Sequence, residues 1–195
     1  LKNDYQTYIP EKAIPIVQYL IGQHHFTLKI VNQRQTKHGD FRKLPNGDFQ
    51  ITINNNLNPY QFLLTLIHEV AHYVTYQKFG RVQPHGKHWK NIFQHLMLPF
   101  LQPEIYPKHI LPLLAKYLKN PKASTDADVD LSLAFKIYSK ETGKSFIFEV
   151  PNGSLFQFKK AIYKRGNKRR TRIECLHTQN NRVYLFNQNV EVTIL

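Results

Sequence analysis

The sequence predicts an α+β fold, with a helical N-terminal part that carries a small antiparallel sheet and a small all-β part behind it. Three observations lead there. Phe62, Leu63, Leu66, Ile67, Val70 and Val74 recur at helical spacing. Residues 26–31 and 49–53 alternate apolar and polar side chains, as half-buried strands do. From residue 131 onward, strand-like runs are separated by turn residues.

In chain order, residues 10–23 place Ala13, Ile14, Val17, Leu20 and Ile21 on one face, which predicts a first amphipathic helix entered through Pro10 and left at Gly22. Strands follow at 26–31, 39–44 and 49–53, the last two joined by the turn chemistry of Pro45-Asn46-Gly47. Asn58 and Pro59 then supply a cap and a first-turn proline for the long helix, and Gly80 its stop. A second helix starts at or just after His85, with Trp89, Ile92, Phe93, Leu96 and Met97 on its apolar face. Pro99, Pro103, Pro107 and Pro112 punctuate the next stretch, which ends in a short helix through Leu113, Leu114, Tyr117 and Leu118.

Residues 121–130 are small, polar and acidic without apolar periodicity and read as a linker. They divide the chain into parts at 1–120 and 131–195. In the second part, strands are expected at 134–138, 145–150, 172–176, 182–186 and 190–194, with turns at Asn152-Gly153 and Asn180-Asn181.

Composition narrows the class. An apolar fraction of 42% with 13% aromatic residues argues for folded cores rather than a disordered tail. Lys and Arg exceed Asp and Glu by 27 to 13, a net charge of +14 that favours polyanions, nucleic acid first among them. A single cysteine, Cys175, forms no internal disulfide, and no apolar run is long enough for a signal peptide or a membrane span. The expectation is a cytoplasmic protein with no membrane partner.

The chemistry concentrates at His68-Glu69-Val70-Ala71-His72, an HExxH motif. Two histidines four residues apart on a helix lie one above the other, so both imidazoles can reach one metal ion, for which zinc is expected at one per chain. Glu69 points to one side of that pair, where a carboxylate serves as a proton acceptor for water rather than as a ligand. A chain with 10 His is expected to carry such a match by chance only about 0.02 times. This is the arrangement of a metallopeptidase. Such a site needs a third protein ligand and an open position. His85 and His88 both stand at the start of the second helix, and spacing does not separate them; Glu104 is the nearest downstream carboxylate. For the oxyanion that peptide cleavage would develop, Tyr73, Tyr76, Arg81 and His88 are near enough in sequence to be considered.

Residues 68–89, HEVAHYVTYQKFGRVQPHGKHW, resemble the core signature of the SprT-like (Spartan) metallopeptidases: HExxH, a helix ending in a Phe-Gly turn, then His-Gly-x-x-Trp. The resemblance covers most of the first 120 residues and is strongest over 54–97. It implies a zincin-like catalytic domain with His68, His72 and His85 as zinc ligands and Glu69 as base. It also implies a DNA-dependent protease acting on proteins bound or crosslinked to DNA, as in DNA–protein crosslink repair. A C-terminal zinc ribbon held by four cysteines is common in that family, and this sequence departs from it with Cys175 alone. The C-terminal part is therefore expected to be a degenerate, ribbon-like β module without a metal of its own.

Within that module Lys159, Lys160, Lys164, Arg165, Lys168, Arg169, Arg170 and Arg172 crowd a stretch that holds no acid. It is expected to be a DNA-binding hairpin, with Tyr163, Phe156 and Phe158 available to stack on bases. The competing reading of the whole chain is a non-catalytic, zinc-containing nucleic-acid-binding protein.

Overall fold

The computed structural model describes residues 5–34, 36–124, 128–139 and 143–195. Among them are five α-helices and two sheets, and the chain divides into two compact units. The first comprises Leu1–Ala123 and Leu133–Ser139, the second Ser124–Ser132 and Lys140–Leu195. No helix among the described residues is long and apolar enough to cross a membrane.

In the first unit, helix α1 (Ile14–Gly22) precedes strands β1 (Thr27–Val31), β2 (Gly39–Lys43) and β3 (Phe49–Asn54). The sheet has the order β1-β3-β2, and β1 runs parallel to β3 while β2 runs antiparallel to it. The sheet is therefore mixed, not antiparallel as expected. Alternation reports which face of a strand is buried but not its neighbour or direction. The tight turn at residues 45–47 commits one edge of β3 to β2 and leaves the other to β1.

Helix α2 (Pro59–Phe79) packs against β2 and β3 of this sheet. Asn58 caps it by accepting from the N–H groups of Tyr60 and Gln61, with Pro59 in the first turn where its missing donor costs nothing. Leu63, Leu64, Leu66, Ile67 and Val70 are fully buried, each stabilising the unit by about 1.5–3 kcal/mol. The helix ends at Gly80, whose φ of 66° suits a residue without a Cβ. Helix α3 (Lys87–Met97) returns against α2, burying Trp89, Phe93 and Met97, and α4 (Leu111–Leu118) buries Leu114, Tyr117 and Leu118.

Helix α5 (Val129–Lys136) stands where a strand was expected over 134–138. Leu131, Ala134 and Phe135 are buried at helical spacing, and the Asp128 carboxylate accepts from the N–H of Leu131 as a cap. A short run such as Ala134 to Tyr138 satisfies both periods, and the cap at Asp128 upstream decides for the helix. Part of the expected linker at 121–130 is thus helix, and residues 125–127 lie outside the described residues.

The second unit holds a six-stranded sheet of order β4-β9-β5-β6-β7-β8, in which every described pairing is antiparallel. Its strands are β4 (Ser145–Phe146), β5 (Leu155–Phe158), β6 (Ala161–Arg169), β7 (Arg172–His177), β8 (Val183–Asn187) and β9 (Glu191–Ile194). The strand expected over 145–150 shrinks to two residues followed by a turn, and β5 and β6 are strands the periodicity did not mark. Ile147, Val150, Phe156, Ile173, Cys175, Phe186 and Val192 form its core.

Candidate metal centre

Helix α2 presents His68 and His72 on successive turns with Glu69 next to His68, and the turn after Gly80 brings His85 back to the two histidines. The Nε2 atoms of His68, His72 and His85 lie 3.1, 3.2 and 2.9 Å apart. Four-coordinate zinc with bonds of about 2.0–2.1 Å would set such edges at about 3.3–3.4 Å. The three rings are thus arranged as one face of a tetrahedral metal site, and they lie close enough to hold one metal ion. Among the described residues, no carboxylate belongs to this cluster; Glu104 is exposed and apart from it.

Hydrogen bonding does not explain the triangle. A neutral imidazole carries one N–H, so three ring nitrogens facing one another cannot all be matched, whereas one cation meets three lone pairs together. Burial, reinforced by the neighbouring imidazoles, holds His68 well below the ordinary histidine range and moves His72 down to about 3. Burial also lowers His85, with Lys90 adding to the effect. Neutral imidazole is the form that binds a metal.

His85 adopts a left-handed backbone with φ of 56°, which a residue with a Cβ rarely takes. Gly86 then caps α3, its N–H donating to the Gln83 carbonyl. This kink turns His85 into the cluster, while His88 stacks on Phe79 at 4.1 Å, away from it. Spacing could not separate the two histidines because the deciding feature is one backbone dihedral.

Trp89 supports all three ligand rings. It is 1% exposed, with ring centroids 4.6 Å from His68, 5.2 Å from His72 and 4.7 Å from His85. Its Nε1–H donates to the His68 carbonyl at 3.4 Å. The sequence marks Trp89 as a packing anchor; its reach to three rings at once is a tertiary result.

Glu69 lies beside the cluster on the β2 side, 7% exposed. The His38 carbonyl accepts from the Asn54 N–H, which by alternation turns the N–H of Phe41 off the sheet, and that N–H donates to the Glu69 carboxyl. Burial first, then the charge of Asp40, pushes Glu69 up to about 8, opposed by Arg34, Lys37 and the Phe41 N–H. Arg34 is itself clamped, donating to Asn54 Oδ1 and Thr52 Oγ1 at 2.9 Å each. This clamp ties the loop ahead of β2 to β3, and no sequence pattern marks it.

The cluster opens into a cleft of about 400 Å³ lined on one side by Gly39, Asp40 and Phe41 and on the other by Tyr76 and Arg81. Of the residues considered for an oxyanion, these last two reach the cleft. Tyr73 is buried among Phe26, Phe41 and Phe49, its hydroxyl accepting from the His25 N–H.

The basic stretch forms β6 and its turn into β7 rather than a loop. Lys159, Lys160, Lys164, Lys168, Arg170 and Arg172 are exposed. Arg165 pairs with Cys175 on the core side and donates to the Gly166 carbonyl, and Arg169 is ion-paired with Glu174. Of the three rings expected to stack on bases, Phe156 is fully buried and so unavailable, while Phe158 and Tyr163 are half-buried and pack on Phe186. Alternation puts all three on the core face, which the count of charges along the chain cannot reveal.

Comparison with known proteins agrees with the cluster. The SprT-like family model matches residues 22–109. The chain is 51% identical over 49 residues to Protein SprT of Vibrio parahaemolyticus, which is 23% of this chain and 30% of that protein. It is 50% identical over 42 residues to Protein SprT of Actinobacillus succinogenes, 19% and 25% of the two chains. With Protein SprT of Yersinia enterocolitica it shares 40% over 53 residues, 25% and 31%. These matches span less than a third of each relative's length. No solved structure matches the chain. Residues 22–109 are a SprT-like domain.

Proposed function

We propose that this chain is a zinc-dependent metalloendopeptidase with a zincin-like catalytic domain, and that it acts on proteins bound or crosslinked to DNA. The observation that carries the peptidase reading is the convergence of three neutral imidazoles beside a buried carboxyl that stands outside their cluster. His68, His72 and His85 would hold the ion through Nε2. When bound, zinc supplies the Lewis acidity that polarises a carbonyl and makes water acidic near neutral pH.

The remaining work falls to this chain's own residues. Glu69 takes a proton from the attacking water on its carboxylate and delivers it to the leaving amine. A nearby divalent cation favours the ionised carboxyl, opposing the burial that raises it. The Phe41 N–H fixes the carboxyl's orientation, and Trp89 fixes the imidazoles. Tyr76 and Arg81, on the cleft wall, are the candidates to donate to the oxyanion.

The DNA part of the proposal rests on the family resemblance, the net charge of +14 and the exposed cations around β6. The deciding experiment pairs metal analysis with peptide cleavage for wild type and Glu69→Gln. One zinc per chain in both, with cleavage only in wild type, supports the enzyme. A zinc-loaded wild type without cleavage supports a binding protein instead.

A further inference from the structure

The six-stranded sheet ends in two unlike edges. On one side β4 is two residues long; on the other β8 is five residues, Val183–Asn187, and among the described residues it pairs only with β7. The His177 N–H donates to the Arg182 carbonyl, which sets the alternation along this pair. Cys175 with Tyr184, and Ile173 with Phe186, exchange hydrogen bonds inward, so the N–H and C=O of Val183 and Leu185 turn to the open side.

The side chains there are apolar. Val183 is 60% and Leu185 47% exposed, and the register continues from Val183 across Leu176 and Lys164 to Leu155 on one sheet face. Natural sheets blunt an open edge with charge, proline or a bulge. Val183–Asn187 holds no charged residue and no proline, in a chain with 27 Lys and Arg, and its pairing with β7 runs without a register shift.

We infer that β8 is a docking edge that takes an extended peptide from a protein partner, apolar at alternate central positions and acidic at its two ends. The incoming strand would extend the sheet by pairing with Val183 and Leu185. Its apolar side chains would cover Val183, Leu185 and Leu176. Acidic ends follow from the surroundings: the exposed Arg182 precedes β8 at one end, the exposed Arg172 stands opposite Asn187 at the other, and Glu174 between them is already paired with Arg169. A second copy of the chain fits less well, because two chains of net charge +14 would meet along their cations.

The probe is a labelled, end-blocked peptide of about nine residues with valine and threonine alternating in its centre and glutamate at both ends, titrated into the full chain beside the same peptide with lysine for glutamate. Binding of the glutamate peptide at least about tenfold tighter than the lysine peptide is expected. Hydrogen exchange should slow at the amides of Val183 and Leu185. Leu185→Pro removes an outward donor without removing a bond to β7 and should abolish binding; Leu185→Lys keeps the donor and should weaken it, so a folding failure of one variant leaves the other. Equal binding of both peptides, unchanged exchange at those two amides, or protection there by duplex DNA in place of peptide overturns the inference. So does a wild-type dimer that Leu185→Pro dissociates.

Discussion

Gly39 lies against Glu69 so closely that a Cβ on the glycine would stand 2.6 Å from Oε1 and 2.8 Å from Cγ of the carboxyl side chain. A Cβ there would also meet Thr65 Cγ2 at 2.8 Å. The backbone of Gly39 is not in the left-handed region, so space and not conformational freedom calls for glycine. Gly39→Ala is expected to displace the carboxyl and lower kcat on the order of 10²-fold while zinc stays at one per chain. Steady-state kinetics beside metal analysis checks this; wild-type turnover in the variant would show that Glu69 tolerates displacement.

His85 and His88 differ in what they touch, and their variants should differ likewise. His85→Ala is expected to lose zinc because it removes one of three nitrogens. His88→Ala, which removes a ring stacked on Phe79, should keep it. Zinc retained by His85→Ala and lost from His88→Ala would exchange their roles.

Trp89 bears on both stability and metal affinity. Trp89→Ala leaves a cavity under three imidazoles and should cost about 3–5 kcal/mol in chemical denaturation of the metal-free protein. Trp89→Phe retains much of the ring packing but loses the bond to the His68 carbonyl, and should weaken zinc binding with a smaller stability loss. Competition with a chelator measures the second effect.

Cys175 provides a pH-dependent test. Burial pushes its thiol up to about 11, above the unfolded value of about 8.5. Between these values the unfolded chain sheds a proton that the folded one keeps, so this group's contribution falls as pH rises from about 8.5 to about 11. Below that window it is neutral. Alkylation at pH 8 should be slow in the folded protein and fast in denaturant, since the thiol is fully buried. Rapid labelling of the native chain would place Cys175 outside the core.

The exposed cations around β6 make a separable prediction. Charge reversal at Lys164, Lys168, Arg170 and Arg172 should weaken DNA binding and reduce the salt slope by about 0.9 for each phosphate that is no longer neutralised. Arg169→Glu should cost less DNA affinity, because Arg169 already faces Glu174. Zinc content should not change. Affinities measured over a salt series give the answer, and an unchanged slope would remove this surface from DNA binding.

The sequence by itself determined what depends on neighbours along the chain. His68, Glu69 and His72 belong to one helix because apolar spacing, an Asn58 cap and a Gly80 stop are local signals with local causes. The hairpin through Pro45-Asn46-Gly47 was legible for the same reason. Only the tertiary structure decided what depends on where distant segments meet. Entry of His85 into the cluster turns on one left-handed residue, and the parallel placement of β1 on which edge of β3 remained free. The crowding of Gly39 on Glu69 and the Arg34 clamp join residues far apart in sequence, which no periodicity registers. The basic stretch shows the same division: its charge is countable in one dimension, but a strand turns alternate side chains to opposite faces, so folding decides which cations meet solvent.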